Sequence, residues 1–146
     1  MNFDKYISPL SDEKLLQACA KIKHVALDMD GTIYLGSTLF PYTQAFLQAL
    51  SDNGISYSFL TNNPTKSSKD YLAKLQKLGI NATEEQMYTS SIATIDYLHM
   101  QYPKAKRIFT LGTPSMQAEF IKAGFEITSD SADDVPDVLV VAFDTT

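Results

Sequence analysis

The sequence predicts an α/β fold built on parallel β-strands. Apolar runs of strand length alternate with amphipathic helical patterns along most of the chain. The short run that ends at Leu27 is continuously apolar, which is typical of a strand buried on both faces. Two helical patterns end at glycines, Gly54 and Gly79, as helices commonly do. Because strand–helix alternation builds β-α-β units, we expect a parallel sheet with helices packed against it.

Local signals predict the individual elements. Glycine and polar residues between the apolar pairs of 33–40 predict a small hairpin, and Pro41 suits the first turn of the helix after it. Ser67 suits the cap of a later helix, and Thr83 with Gln86 has capping-box spacing. The first predicted elements, in chain order, are a helix from 11, a strand at 24–27, the hairpin, a helix ending at 54, a strand at 55–60 and a helix at 67–79. They are followed by a strand at 86–89, a helix at 90–102, a strand at 107–111, a helix at 114–123 and a strand at 138–143.

A polar break at 103–106 predicts a boundary between two structural units. A second strand–helix alternation follows this break, so we divide the chain into units 1–103 and 104–146. The sequence ends directly after the apolar strand 138–143. We expect the helix that would cover this strand to be absent from the chain.

Composition excludes several classes of partner. The net charge is −5 and no basic run occurs, which argues against binding nucleic acid or an anionic membrane surface. No apolar stretch reaches the length of a membrane span, and no signal-peptide pattern begins the chain. Cys19 is the only cysteine, which favours a reducing compartment, and we expect it to be a buried structural residue. A cytoplasmic protein is the simplest interpretation.

Two acidic residues end the first predicted strand. Asp28 and Asp30 flank Met29, and Gly31 permits the backbone to turn sharply after them. In open α/β sheets, ligands bind beyond the carboxyl ends of the strands. Two nearby carboxylates are tolerated when a cation neutralises them or when one holds a proton. Mg²⁺ prefers such a site, with few carboxylates, waters and phosphate oxygens as ligands.

A second polar cluster, Thr61, Asn62 and Asn63, ends the next predicted strand. Its hydroxyl, amides and backbone N–H groups suit phosphate oxygens, and we expect the N-terminus of the helix near Ser67 to add partial positive charge. Each cluster alone is as easily explained by an ordinary turn. Their joint occurrence, one β-α unit apart, predicts that both lie on one rim of the sheet.

These residues carry a family resemblance. The run 25–34 resembles motif one of the haloacid dehalogenase superfamily, and 59–63 resembles its motif two. The stretches 31–36, 88–94 and 140–144 are similar to the NagD-like (class IIA) group of sugar and nitrophenyl phosphatases. The resemblance implies an incomplete Rossmann-like, three-layer core followed by the first part of an α/β cap.

The resemblance also implies roles for the two acidic residues. Asp28 would be the nucleophile that forms an aspartyl-phosphate, and Asp30 would be the general acid and then the general base. One Asp28 oxygen and the Asp30 carbonyl would bind Mg²⁺. The substrate would be a small phosphorylated metabolite, whose identity stays open because a fold does not fix a substrate.

The remaining implied roles concern phosphate binding. Thr61 would hold the transferring phosphoryl group, and the Asn62 backbone would assist it. Gly31 and Thr32 would contribute from the loop after the nucleophile, and Asn63 would help to shape the rim. The hairpin would form a flap beside the site.

The chain departs from the family because no counterpart of the motif-three lysine or the motif-four acidic residues is found. We therefore expect little or no phosphatase activity from this chain alone, since phosphoryl transfer depends on positioning and charge balance. One alternative is a receiver-like module phosphorylated on aspartate. Another is a non-catalytic fragment completed by a second copy or by a missing C-terminal half.

Overall fold

The computed structural model describes residues 12–142, except for the side chains of 12, 15 and 16. The structure confirms the predicted α/β fold. The elements in chain order are α1 (Asp12–Cys19), β1 (His24–Asp28), β2 (Tyr34–Leu35), β3 (Thr38–Leu39), α2 (Thr43–Asp52), β4 (Ser56–Thr61), α3 (Ser68–Lys77), a 3-10 turn (Glu84–Gln86), β5 (Met87–Thr89), α4 (Ser90–Gln101), β6 (Arg107–Leu111), α5 (Pro114–Lys122), β7 (Glu126–Ile127) and β8 (Val138–Val141).

Two parallel sheets organise the described residues. The first has the strand order β1-β4-β5, and the second has the order β7-β6-β8. Strands β2 and β3 form the predicted antiparallel hairpin between β1 and α2. In the first sheet, Asp28 pairs with Leu60 and Thr61 pairs with Thr89. This register aligns the carboxyl ends of all three strands at one rim.

Helix capping follows the sequence signals in most places. Ser67 caps α3 in a reciprocal capping box with Asp70, and Thr83 with Gln86 forms the predicted box. The expectation for Pro41 is wrong, because α2 begins at Thr43. The Thr43 hydroxyl donates a buried hydrogen bond of 2.7 Å to the Ile33 carbonyl, so the helix starts where it ties down the hairpin.

The described residues form two hydrophobic clusters. The first joins β1, β4 and β5 to α2 and α3, with Phe59 and Leu75 fully buried at its centre. The second surrounds Ile108 and Phe120. The buried face of α4 packs into the second cluster, although the predicted boundary at residue 103 leaves this helix in the first unit. The position of that boundary stays a prediction.

Two details differ from the sequence analysis. Cys19 is exposed at the last residue of α1, so the expectation that it is buried is wrong. Strand β7 has no counterpart in the prediction because its two residues are too few to show a periodic pattern. Residues 143–146, which include the end of the predicted last strand, lie outside the described residues. No helix within 12–142 has the length and apolarity needed to cross a membrane.

Candidate active site

The two predicted carboxylates stand on the same side of the chain. Asp28 is the last residue of β1, and both it and Asp30 are exposed. Met29 between them is completely buried in the first cluster. Because successive side chains of an extended chain point to opposite faces, anchoring Met29 inward directs both carboxylates outward.

A tight turn follows Asp30. The Met29 carbonyl accepts hydrogen bonds from the N–H groups of Thr32 and Ile33 at 3.2 and 3.0 Å. Gly31 has a φ of +86°, a conformation that other residues rarely adopt, and its N–H donates to the Tyr34 carbonyl at 2.7 Å. The glycine thus lets the backbone double back and keeps the loop close to Asp28.

Thr32 reaches the first carboxylate directly. Its hydroxyl donates to Asp28 Oδ2 at 3.0 Å. The Tyr42 hydroxyl donates to the Thr32 carbonyl at 3.0 Å, so the start of α2 holds the loop from its other side. These contacts fix the orientation of the Asp28 carboxylate before any ligand binds.

The strand register brings the second polar cluster beside Asp28. Leu60 on β4 pairs with Asp28, and Thr61 is the next residue along β4. Asp28, Thr61 and Asn62 line one cavity of about 460 Å³. The remaining lining residues are Leu60, Tyr88, Thr89, Ser90 and Ala93. Within the described residues, Asp30, Gly31, Thr32 and Asn63 are outside this lining.

The two asparagines have different surroundings. Asn62 is exposed and lines the cavity. The Asn63 side-chain oxygen accepts hydrogen bonds from the N–H and hydroxyl of Thr65 at 3.0 and 2.8 Å, so it closes a local turn. The Asn63 N–H donates to the Thr61 hydroxyl oxygen at 3.2 Å. Asn63 therefore shapes the loop, whereas Asn62 lines the cavity.

The N-terminus of α3 is occupied by the protein itself. The Ser67 N–H donates to Asp70 Oδ2 and to Ser115 Oγ, and the Ser68 N–H donates to Glu119 Oε1 at 2.6 Å. The expectation that this helix end offers its positive charge to phosphate is therefore wrong. Its partial charge meets a carboxylate of α5 instead.

Burial and nearby carboxylates change the acidity of two tyrosines behind the site. Burial raises the pKa of Tyr34 to about 12, and Asp30, Tyr71 and Asp28 add to this effect. Burial also raises the pKa of Tyr71, while a hydrogen bond with the Thr61 side chain acts in the opposite direction. The sequence analysis did not identify either tyrosine as part of the site, because each fits the apolar pattern of its own element.

The carboxylate content limits the kind of metal that the site can hold. Among residues 12–142, no group of three or more His, Cys, Asp or Glu side chains could bind a metal ion together. Mg²⁺ fits the two carboxylates of this site, because it keeps several waters and takes only one or two carboxylates.

Comparisons with known proteins identify the family. Residues 25–126 match the family model described as haloacid dehalogenase-like hydrolase. An acid sugar phosphatase of Staphylococcus aureus is 33% identical over 108 residues, which cover 74% of this chain and 41% of the relative. The crystal structure of 4-nitrophenylphosphatase from Thermotoga maritima aligns with a TM-score of 0.79 and 33% identity, over 87% of this chain and 47% of that one.

A third similar structure contains a metal. The glycerol phosphate phosphatase of Mycobacterium tuberculosis in complex with magnesium aligns with a TM-score of 0.74 and 27% identity, over 86% of this chain and 37% of that one. The chain thus spans less than half the length of these three proteins. The predicted resemblance to the phosphatases of this superfamily is confirmed, and the chain belongs to the haloacid dehalogenase-like hydrolases.

Proposed function

We propose that this chain carries the nucleophile and phosphate-binding half of an enzyme that hydrolyses small phosphate monoesters with the help of Mg²⁺. The observation that supports this proposal most directly is the single cavity shared by Asp28, Thr61 and Asn62. A carboxylate beside a hydroxyl and an amide is the combination that attack on phosphorus requires: a nucleophile next to groups that bind phosphoryl oxygens.

The proposed reaction has two displacement steps. An Asp28 oxygen attacks phosphorus, a new P–O bond forms, and the bond to the ester oxygen breaks. Asp30 donates its proton to that leaving oxygen. Asp30 then takes a proton from a water molecule, whose oxygen attacks the phosphorus of the aspartyl-phosphate. The bond between the Asp28 oxygen and phosphorus breaks, and inorganic phosphate leaves. Asp28 is again a carboxylate, and Asp30 is again protonated.

Thr61 and Asn62 hold the phosphoryl oxygens in this proposal. The Thr61 hydroxyl oxygen accepts a hydrogen bond from the Asn63 N–H at 3.2 Å, which holds it in the loop beside the cavity. Thr32 keeps Asp28 oriented through its 3.0 Å hydrogen bond. Gly31 brings backbone N–H groups into the same loop. Phosphoryl transfer gains chiefly from such positioning.

An Asp28 carboxylate oxygen and the Asp30 backbone carbonyl would hold the magnesium ion, with waters and phosphate oxygens as its other ligands. When bound, the ion would offset the negative charge that Asp28 and the phosphate bring together. The exposed Asp28 carboxylate at the carboxyl end of β1 suits that arrangement and leaves the Asp30 carboxyl free for proton transfer.

We propose a small phosphorylated metabolite as the substrate. The similar proteins are named for sugar, nitrophenyl and glycerol phosphates, which share a phosphate monoester and differ in the remaining group. A net charge of −5 disfavours nucleic acid. The single cysteine is consistent with a cytoplasmic location.

We also propose that another polypeptide segment covers β8, either a second copy or a segment that completes the fold. Leu139 and Val141 of β8 are 66% and 73% exposed. Within the described residues β8 pairs only with β6, so its outer edge is open for pairing. Light scattering that shows a compact monomer of the pure chain would count against this proposal.

Phosphate binding tests the proposed function without requiring turnover. Calorimetric titration of the chain with inorganic phosphate should show binding that requires Mg²⁺. Thr61→Val should weaken it roughly tenfold, because a hydrogen bond to a charged group contributes about 1.5 kcal/mol or more. Asp52→Asn on α2 is a matched control that should leave binding unchanged. Absence of magnesium-dependent phosphate binding would contradict the proposal.

A turnover assay tests the separate expectation that the chain alone is nearly inactive. With p-nitrophenyl phosphate and Mg²⁺, we expect little hydrolysis by the purified chain. Robust hydrolysis that co-elutes with the protein and disappears in Asp28→Asn would overturn this expectation and would itself identify the nucleophile.

A further inference from the structure

One face of α3 contacts both loops of the candidate site from behind. Tyr71 and Lys74 are three residues apart on this helix and therefore project from the same side. Tyr71 is only 4% exposed, and its ring packs in the first cluster together with Met29 and Tyr34. Neither side chain lines the cavity, so any effect on a ligand must pass through the loops.

Tyr71 contacts the loop that follows β4. Its hydroxyl donates to the Asn63 carbonyl at 3.2 Å, directly after the two residues that line the cavity. A hydrogen bond with the Thr61 side chain lowers the Tyr71 pKa, against the larger raising effect of burial. The buried Tyr71 hydroxyl thus ties the end of the Thr61–Asn63 segment to α3.

Lys74 contacts the loop that follows β1. Its ammonium nitrogen lies 3.8 Å from the centroid of the Tyr34 ring, within the range of a cation–π interaction. Tyr34 closes the turn after Asp30, since its carbonyl accepts the Gly31 N–H at 2.7 Å and its backbone bridges to Asp30. Burial lowers the Lys74 pKa, and the negative charge of Asp30 opposes this effect.

We propose that Tyr71 and Lys74 are positioning residues that hold the two loops of the site in register with each other. This inference rests on the proposed function in one respect: the alignment of the two loops serves to place Thr61 and Asn62 opposite Asp28. Each loop has its own internal turn, and α3 contacts both of them. Loss of one contact should loosen one loop and leave the other closed.

Amide hydrogen exchange tests this division directly. Tyr71→Phe removes one hydroxyl and keeps the ring, so exchange at the Asn63 and Thr65 amides should accelerate roughly two- to tenfold. Lys74→Met keeps the apolar stem and removes the cation, so the same acceleration should appear at the Gly31 and Ile33 amides. Each variant should leave the other loop within a factor of two of the parent chain.

Matched substitutions separate positioning from general stability. Tyr57→Phe changes another tyrosine of the first cluster, whose hydroxyl makes no hydrogen bond within residues 12–142, and Lys77→Met changes an exposed lysine of the same helix. Both controls should leave the two loops unchanged. Lys74→Arg should preserve slow exchange, because a guanidinium also stacks on an aromatic ring.

The proposal fails if Tyr71→Phe or Lys74→Met accelerates exchange equally in both loops and in the β4 core amides, because that pattern reports global destabilisation. It also fails if neither variant changes its own loop. Titration of Tyr71→Phe with inorganic phosphate and Mg²⁺ adds a functional readout, with an expected three- to tenfold weaker binding. A parent chain that binds no phosphate would refute the proposed function, while the exchange results would still decide the positioning role.

Discussion

The two parallel sheets have similar strand–helix connections but treat the polar residues at their strand ends differently. In the first sheet, β1 and β4 end in Asp28 and Thr61, which line an open cavity. In the second sheet, β6 ends before Thr113, which is buried and satisfied on both sides. Its hydroxyl accepts the Met116 N–H at 3.3 Å and donates to the Thr65 carbonyl at 3.2 Å.

The acidic residues of the second unit show the same contrast. Asp134 pairs with Arg107 and accepts hydrogen bonds from the Ser129 N–H and hydroxyl at 2.8 Å. Asp137 accepts the N–H groups of Lys106 and Arg107 at 2.8 and 2.9 Å. These carboxylates stabilise loops. The comparison teaches that parallel topology supplies a rim in both sheets, and that the candidate site lies at the rim whose strand-end groups face an open cavity.

The largest predicted effect is the loss of stability when a buried phenylalanine is removed from either hydrophobic cluster. Phe59 and Phe120 are both fully buried, one in each cluster. Replacement of either by alanine should lower the free energy of unfolding by about 3 to 5 kcal/mol, because it removes apolar contacts and leaves a cavity. Urea denaturation monitored by circular dichroism measures this loss.

The two alanine variants should differ in their effect on phosphate binding. Phe59→Ala should also abolish magnesium-dependent phosphate binding, whereas Phe120→Ala should reduce it less at temperatures where the first unit stays folded. Equal loss of phosphate binding in both variants would show that the two units unfold as one and that the division between them has no energetic meaning.

The junction between the units gives the second prediction. Glu119 of α5 accepts hydrogen bonds from the Ser68 N–H and hydroxyl at 2.6 and 2.5 Å. The other Glu119 oxygen, Oε2, is buried without a hydrogen-bond partner among the described residues. Burying this oxygen costs free energy and offsets part of the stabilisation from the two hydrogen bonds. Glu119→Ala should therefore cost about 1 to 2 kcal/mol of unfolding free energy.

A second acidic residue at the same junction serves as the control. Glu84 pairs with Lys122 at 3.3 Å, and both side chains are largely exposed. Glu84→Ala should cost well under 1 kcal/mol, because exposed ion pairs are screened by water. Denaturation midpoints of the two variants, measured side by side, decide the matter. Equal costs would mean that burial of Glu119 contributes nothing.

The sequence was sufficient to predict what depends on short-range signals. The polar clusters after β1 and β4, the hairpin, the Ser67 cap and the Thr83–Gln86 capping box all follow from residues close together in the chain. Contacts between distant segments were missed. Nothing local distinguishes Glu119 from an ordinary exposed helix residue, yet it occupies the N-terminus of α3. Likewise, Tyr71 has the spacing of a core residue, and only the fold brings its hydroxyl to Asn63.

The third prediction concerns alkaline stability of the first unit. Burial, followed by the charges of Asp30 and other groups, raises the pKa of Tyr34 from 10.0 to about 12. A raised folded-state pKa means that folding favours the protonated phenol. The resulting stability is present below about pH 10 and is lost as the pH rises towards 12. Tyr34→Phe should remove this loss, as measured by urea denaturation between pH 9 and 12. An unchanged alkaline profile would contradict the assignment.

The smallest predicted effect is a loss of folding stability at low pH, at the junction between the units. It is the acid counterpart of the alkaline loss predicted for Tyr34. A hydrogen bond from Ser115 of α5, followed by those from Ser67, lowers the pKa of Asp70 below 3.8. A lowered folded-state pKa means that folding favours the carboxylate, so its contribution is present above pH 3.8 and is lost as the pH falls through the lowered value. The effect is modest because Asp70 is exposed and water screens its charge. Ser115→Ala should therefore reduce stability more at pH 6 than at pH 2, because the contribution of the hydrogen-bonded carboxylate declines as the pH falls through its lowered pKa. If Ser115→Ala has the same effect at both pH values, the hydroxyl does not stabilise the carboxylate, and the contact between the units must depend on Glu119 instead.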